Sequence, residues 1–312
     1  MSAPIAITMG DASGVGPEIV LRRFAAGLLP DDVVVYGDLA ILRRGAELLG
    51  LDVQLDHLDV VDLGVLRASD HRPGVIDAAA GRAAREYVLR ATDDALAGRV
   101  RAVVTMPMNK EATQLSDPVF VGHTELIAAR CGVRSFSMML VAGDLAVTHV
   151  STHVSLSEAI ARVTTDRVHE VIALTHRTLQ PFRPSPRIAV CGLNPHAGEH
   201  GLFGDEDSRF IAPAIDRACN EGIDASGPHP ADTVFHQAVH RQRFDAIVCM
   251  YHDQGHTPMK LLAFESGVNV TIGLPIVRTS VDHGTAFDIA WRGEAFTESL
   301  DHALDWARRL SP

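Results

Sequence analysis

Along the chain, short unbroken apolar runs alternate with longer stretches in which apolar positions recur every three or four residues. The runs Ile5 to Met9, Val33 to Tyr36, Arg101 to Met106, Ile188 to Cys191, Phe244 to Cys249 and Val268 to Ile272 read as strands. Ala246-Ile247-Val248-Cys249 shows no polar alternation, as expected of a parallel strand covered on both faces. The helical period predicts helices from Pro17 to about Gly27, over Leu39 to Leu49 with Asp38 as cap, and over the alanine-rich Ala78 to Leu96 that stops at Gly98. It predicts others over Leu126 to Ala129, Leu156 to Arg162, Asp166 to Leu179, Ser208 to Asn220, Thr233 to Val239 and at the C-terminus. Gln54 to Val65 reads as an irregular or edge-strand segment. Ser137 to Ala142 and Leu145 to Val150 flank Gly143-Asp144 and read as a hairpin, which hints at a second lobe or a dimer contact. Alternating strands and helices imply an α/β fold, a mostly parallel sheet with helices on both faces.

Composition narrows the class. A chain of 312 residues, 46% hydrophobic and 21% charged, suits a soluble globular protein of two lobes. A net charge of −11 with no basic stretch argues against general nucleic-acid binding, but not against a small anionic substrate held by a few local cations. The four cysteines (Cys131, Cys191, Cys219, Cys249) form no CxxC pair and read as reduced thiols in a cytoplasmic protein. No apolar run approaches membrane-spanning length, and no signal-peptide pattern opens the chain.

Candidate chemistry gathers where strands end. His153, His196 and His252 each follow a strand, and in an open α/β sheet the carboxyl ends of strands carry the site. Imidazoles from separate elements can converge on one ion, and three of them with open positions suit a catalytic divalent metal. Singly, each is better explained as a loop histidine hydrogen-bonded to backbone, but three together at strand ends favour the metal. The opening of His252-Asp253-Gln254-Gly255-His256 reads as two imidazoles, a carboxylate and a glycine turn, with Lys260 beyond. Anion contacts are expected from His123, Thr124, Lys260, Asn269 and Arg278. Gly122-His123-Thr124 opens a helix, where free amides favour an anion, and Arg278 lies in a Pro-containing loop able to grip an oxyanion. Thr124 is equally an ordinary N-cap; for Lys260 and Arg278 the alternative is a solvated surface cation, which their placement just past strand ends disfavours. Gly10 to Gly16 matches neither the Walker loop nor the dinucleotide fingerprint. The segment Asp282 to Asp288 joins a histidine, a glycine, a hydroxyl and a carboxylate, a set that suits an adenosine moiety, with Asp288 as a ribose or adenine partner or a helix-terminal carboxylate.

Taken in order, these segments resemble the 4-hydroxythreonine-4-phosphate dehydrogenase family, the pyridoxal-phosphate biosynthesis dehydrogenases. The resemblance rests on Met9-Gly10-Asp11 with Gly14-Val15-Gly16-Pro17-Glu18, on Gly122-His123-Thr124-Glu125 and on Thr152-His153. It continues through Gly192-Leu193-Asn194-Pro195-His196-Ala197-Gly198-Glu199, Tyr251-His252-Asp253-Gln254-Gly255 and Arg278-Thr279-Ser280-Val281-Asp282-His283-Gly284-Thr285-Ala286. It implies a homodimer of two α/β/α lobes similar to isocitrate and isopropylmalate dehydrogenases, with a cleft between the lobes. The expected division is residues 1–115 with 265–312 as the cofactor side and 116–264 as the lobe with metal ligands and dimer contacts. The resemblance implies one divalent ion (zinc, magnesium, manganese or cobalt) on His153, His196 and His252, drawn from both subunits. It implies substrate contacts from His123, Thr124, Lys260, Asn269 and Arg278, and NAD or NADP at His283, Gly284, Thr285, Ala286 and Asp288. One departure stands out. Members dedicated to vitamin B6 carry Leu-Pro-Val after His-Asp-Gln-Gly, whereas here His256-Thr257-Pro258-Met259 follows. This is similar to the branch acting on D-threonate or D-erythronate 4-phosphate.

The implied reaction is metal-dependent, NAD(P)-linked oxidation and decarboxylation of a 4-phosphorylated 3-hydroxy acid, with Asp253 and Lys260 as candidates for proton transfer. The alternatives are a dihydrodiol dehydrogenase of the same family, a metal-dependent phosphatase on the same histidines, and a non-catalytic phosphometabolite-binding protein.

Overall fold

The structure, a computed structural model, describes residues 3–264 and 266–311. Strand β1 (Ile5–Thr8) leads to α1 (Gly16–Ala25), β2 (Val33–Gly37) to α2 (Leu39–Leu48), and the short β3 (Val60–Asp62) precedes α3 (Ala78–Leu96). Strand β4 (Ala102–Thr105) is followed by α4 (Lys110–Gln114) and α5 (His123–Arg130). A hairpin of β5 (Ser137–Ala142) and β6 (Leu145–His149) precedes α6 (Leu156–Ala161) and α7 (Thr165–Leu179). Three strand–helix pairs come next: β7 (Ile188–Cys191) with α8 (Ala212–Asn220), β8 (Ala225–His229) with α9 (Ala231–Arg241), and β9 (Ala246–Cys249) with α10 (His252–Ala263). Strands β10 (Val268–Ile272) and β11 (Val277–Val281) and helix α11 (Glu298–Leu310) complete the order.

The chain divides into two compact units, Met1–Arg134 with Leu274–Pro312, and Ser135–Gly273. The boundaries therefore lie beyond those expected, at 134 and 273 rather than 115 and 264. His123 and Thr124 belong to the first unit and Asn269 to the second.

In the first unit the strands run β3-β2-β1-β4-β11, every pair parallel. All four residues of β1 are buried, as are those of β2 and β4, which accounts for their unbroken apolar character. Asp77 caps α3 by accepting from the Ala79 and Ala80 amides. Asp38 stands at the N-cap position of α2, as expected, but its side chain makes no capping bond. Its carboxylate turns away to accept from the Val65 and Leu66 amides and from the Tyr87 hydroxyl, 2.6 Å away, tying the β3 region to α3.

In the second unit the order is β10-β5-β6-β9-β7-β8; β5 is antiparallel to both neighbours and the rest are parallel. The hairpin thus enters the sheet itself. The core packs Leu140, Val147, Ala189, Ile247 and Met259 with Val234 and Ala238 of α9. Each large aliphatic group buried there contributes about 1.5–3 kcal/mol. Strand β8 was not foreseen, because Ser226-Gly227-Pro228 reads as a turn; as the last strand in the order it tolerates a proline.

Candidate active site

The second unit gathers histidines at the carboxyl ends of β6 and β9. The expected glycine turn after His252 is absent: His252 to Ala263 is one helix, and Gly255 lies inside it. The glycine is needed there for close approach, because a Cβ would sit 2.5 Å from His149 Nε2 and 2.7 Å from Val147 Cγ1. With no side chain at 255, the first turn of α10 lies directly on β6. Gln254 fixes that turn from the other side, its Oε1 accepting from the Met250 amide and its Nε2 donating to the Gly192 carbonyl. Ser151 Oγ donates to the Met250 carbonyl and joins the end of β6 to the end of β9.

Four imidazoles result from this packing. His153 and His252 have ring centroids 5.6 Å apart; His252 stacks on His256 at 3.8 Å; His256 lies 4.7 Å from His149. His149 was not singled out from the sequence, and His256 was noted there only as the second imidazole of its stretch and as the start of the departure from the vitamin B6 members. The signal was present, since His252 and His256 are four apart on a helix and so share a face. Burial drives both imidazoles down, His149 to about 3 and His256 to about 4, with neighbouring cationic groups adding to the shift.

His196 stands apart from this group. Its ring meets Phe203 edge-on at 6.0 Å, and its Nδ1 lies 2.8 Å from Glu199 Oε2. It belongs to a run from His196 to His200 in which every residue has positive φ. Asp207 clamps the entry to that run, accepting from the Leu193 and Asn194 amides and from the Asn194 side chain. Among the described residues no group of three His, Cys, Asp or Glu side chains is placed to hold a metal ion.

The donor chemistry nonetheless fits a divalent cation. His252 Nδ1 lies 2.7 Å from Asp253 Oδ1, and His196 Nδ1 is paired in the same way with Glu199 Oε2 at 2.8 Å. A carboxylate on Nδ1 fixes the proton there and leaves Nε2 as a bare lone pair, the arrangement common to metal-ligating histidines. Asp253 thus orients His252. Lys260 lies two turns on along α10, its Nζ over the Phe264 ring at 5.1 Å. Asn269, in β10, keeps a buried Oδ1 without a hydrogen-bond partner.

In the first unit, α5 begins at His123, three residues earlier than expected, with Gly122 as N-cap, so Thr124 lies in the first turn and is not the cap. The His123 ring is satisfied on one side by the Met106 carbonyl, while its Nε2 is buried without a partner. Burial, with Arg278 nearby, holds this imidazole at about 3. Arg278 is not in a loop. It is the second residue of β11, 3% exposed, and donates to Thr105 Oγ1 at 2.7 Å. Burial lowers the guanidinium to about 10, with Glu125 opposing the shift. A buried cation beside an orphaned imidazole at a helix start is a constellation that favours an anion.

The glycine-rich turn supports the Asp282 to Asp288 loop. The Val15 amide donates to the Thr285 carbonyl, and a Cβ on Gly14 would meet that same carbonyl at 2.9 Å. Asp11 in the turn is buried, accepts from the Ser13 amide, and is pushed by burial up to about 6. A carboxyl there disfavours a phosphate. His283 Nε2 pairs with Ser299 Oγ at 2.9 Å, Gly284 faces open space, Ala286 has positive φ, and Asp288 lies in an exposed turn, not at a helix terminus.

Comparison with known proteins gives this arrangement a family. The pyridoxal phosphate biosynthetic protein PdxA family matches residues 30–307. The chain belongs to this family. Among PdxA relatives, the D-threonate 4-phosphate dehydrogenase of Salmonella typhimurium is 45% identical, covering 98% of each chain. The 4-hydroxythreonine-4-phosphate dehydrogenase of Geobacter metallireducens is 44% identical over 98% of this chain and 95% of its own. The crystal structure of the 4-hydroxythreonine-4-phosphate dehydrogenase from Klebsiella pneumoniae superposes with a TM-score of 0.90 at 42% identity, over 100% of both chains. No helix among the described residues is long and apolar enough to cross a membrane.

Proposed function

We propose that the protein oxidises and decarboxylates a 4-phosphorylated 3-hydroxy acid with NAD or NADP and a divalent metal. Membership of a family whose relatives are named dehydrogenases of such acids supports the reaction class. The observation that carries the metal assignment is the pairing of His252 with Asp253 and of His196 with Glu199, each leaving Nε2 available. His153, His196 and His252 are the ligands, zinc, magnesium, manganese and cobalt being the candidates. His153 and His252 come from one protomer and His196 from a second, in a homodimer with shared sites. A divalent ion bound there would polarise the substrate hydroxyl and stabilise the enolate left by loss of carbon dioxide.

The remaining groups bind and orient. Lys260 contacts the substrate's anionic end and is the candidate for proton transfer; Asp253, weighed for the same task, is engaged with His252. Asn269 has an unfilled buried acceptor that a substrate hydroxyl can use. In the first unit, His123, Thr124 and Arg278 form an anion site suited to a phosphate. His283, Gly284, Thr285, Ala286 and Asp288 take the adenosine portion of the nicotinamide cofactor.

Two substrates fit, and they differ at carbon 2: D-threonate 4-phosphate carries a hydroxyl there and 4-hydroxy-L-threonine 4-phosphate an ammonium. The departure at His256 favours the first, as does similarity to relatives named for it. The test is steady-state reduction of NAD and of NADP with each acid, across the candidate metals. Higher kcat/KM with D-threonate 4-phosphate is expected. Reduction with neither acid would sink the dehydrogenase reading, and phosphate release without the nicotinamide would replace it with hydrolysis.

A further inference from the structure

His252, His256 and Lys260 occupy positions i, i+4 and i+8 of α10 and so form one ridge along it. The two ends of the ridge carry proposed roles, and the middle residue has none. His256 is 8% exposed, with its ring lying nearly parallel to that of His252, planes 10° apart. On the helix it lies midway between His252 and Lys260.

The hydrogen bonds fix which nitrogen His256 presents. His149 is fully buried, and its Nδ1 faces the Met138 carbonyl at 3.4 Å. A carbonyl can only accept, so His149 carries its proton on Nδ1 and its Nε2 is a lone pair. His256 Nδ1 lies 3.1 Å from that Nε2 and must therefore be the donor. Two neutral imidazoles in series thus leave the outer nitrogen of His256, Nε2, as a bare acceptor.

We propose that His256 Nε2 accepts a hydrogen bond from the substrate's 2-hydroxyl, and that this ridge selects a 2-hydroxy acid over its 2-ammonium counterpart. The fixed cation of this ridge is Lys260, one turn beyond His256 on α10. An ammonium placed beside Lys260 meets like charge, whereas a hydroxyl donates a hydrogen bond to Nε2 and brings no charge. The two substrates share their carboxylate, 3-hydroxyl and phosphate and differ only at carbon 2, so discrimination is assigned to the residue facing carbon 2. His149 is the positioning residue: it touches no substrate but holds His256 in the tautomer that can accept. The inference rests on the reading that the substrate is a phosphorylated hydroxy acid.

The experiment compares wild type, His256→Leu and His256→Gln on D-threonate 4-phosphate and 4-hydroxy-L-threonine 4-phosphate. In His256→Leu the KM for the threonate should rise about five- to tenfold, with kcat moving less, and the hydroxy-to-amino ratio of kcat/KM should fall by the same factor, as expected for one lost hydrogen bond. His256→Gln, whose amide oxygen can stand near Nε2, should recover part of that ratio. A two-bond proton–nitrogen correlation spectrum of the wild-type protein should show His149 and His256 as Nδ1–H tautomers. An Nε2–H tautomer at His256, or an unchanged ratio in a folded His256→Leu protein that binds metal normally, overturns the inference while leaving the dehydrogenase standing. Wild-type protein that turns over neither acid removes the dehydrogenase, and the inference with it.

Discussion

At the scale of single residues, the site depends as much on what is missing as on what is present. Gly255 lies inside a helix, where glycine costs about 1 kcal/mol relative to alanine. Its Cα faces His149, Val147 and Cys249 so closely that any Cβ collides. Gly255→Ala would gain helix propensity and still be destabilised, by about 1–3 kcal/mol, because α10 must lift off β6 to admit the methyl group. A drop in Tm is the expected result, and a rise would show that the helix can shift without loss. Lifting the helix also lengthens the His149–His256 contact, so the same variant should weaken discrimination between the two acids.

At the scale of elements, the loop that carries His196 is the most strained part of the second unit. Five consecutive residues, His196 to His200, adopt left-handed backbone, and four of them are not glycine. Each such residue costs of order 1 kcal/mol, so the turn persists only because its surroundings impose it. Asp207 is the clamp, 2% exposed, with three N–H donors from Leu193 and Asn194 converging on its carboxylate. Asp207→Asn turns one acceptor into a donor facing donors. It should lower stability by about 1–3 kcal/mol and weaken zinc binding at least tenfold by releasing His196. Thermal melts and zinc titration check both effects, and unchanged zinc affinity would show that the left-handed turn does not present His196. Of these features the sequence revealed the histidines and the strand ends before them, because burial on both faces leaves a plain apolar signature. It did not reveal the clamp, since Asp207 acts fourteen residues from Leu193 and nothing local marks the pairing. Arg278 was misplaced in a loop for a related reason: Pro275 signals a break, and only pairing with β4 makes Val277 to Val281 a strand. Gly255 misled in the opposite direction, because a glycine chosen for close approach looks the same in sequence as one chosen for a turn.

At the scale of the whole molecule, the separation of His196 from His153 and His252 becomes a statement about assembly. One protomer brings two of the three proposed ligands together, and His196 instead has Glu199 and Phe203 as neighbours. If the third ligand comes from a second copy, lesions in different protomers should complement. Homodimers of His196→Ala and of His252→Ala each lack one ligand at both sites and should be inactive and bind metal weakly. A heterodimer, made by co-expressing the two variants with different tags and purifying on both, has a different composition. One site takes His153 and His252 from the His196→Ala protomer and His196 from the His252→Ala protomer, and is complete. The other site lacks both residues. The heterodimer should therefore show about half the wild-type specific activity and bind tightly about one metal ion per dimer, as two-fold symmetry with shared sites requires. If all three ligands came from the same protomer, every site in the heterodimer would lack one, and neither activity nor tight metal binding would return.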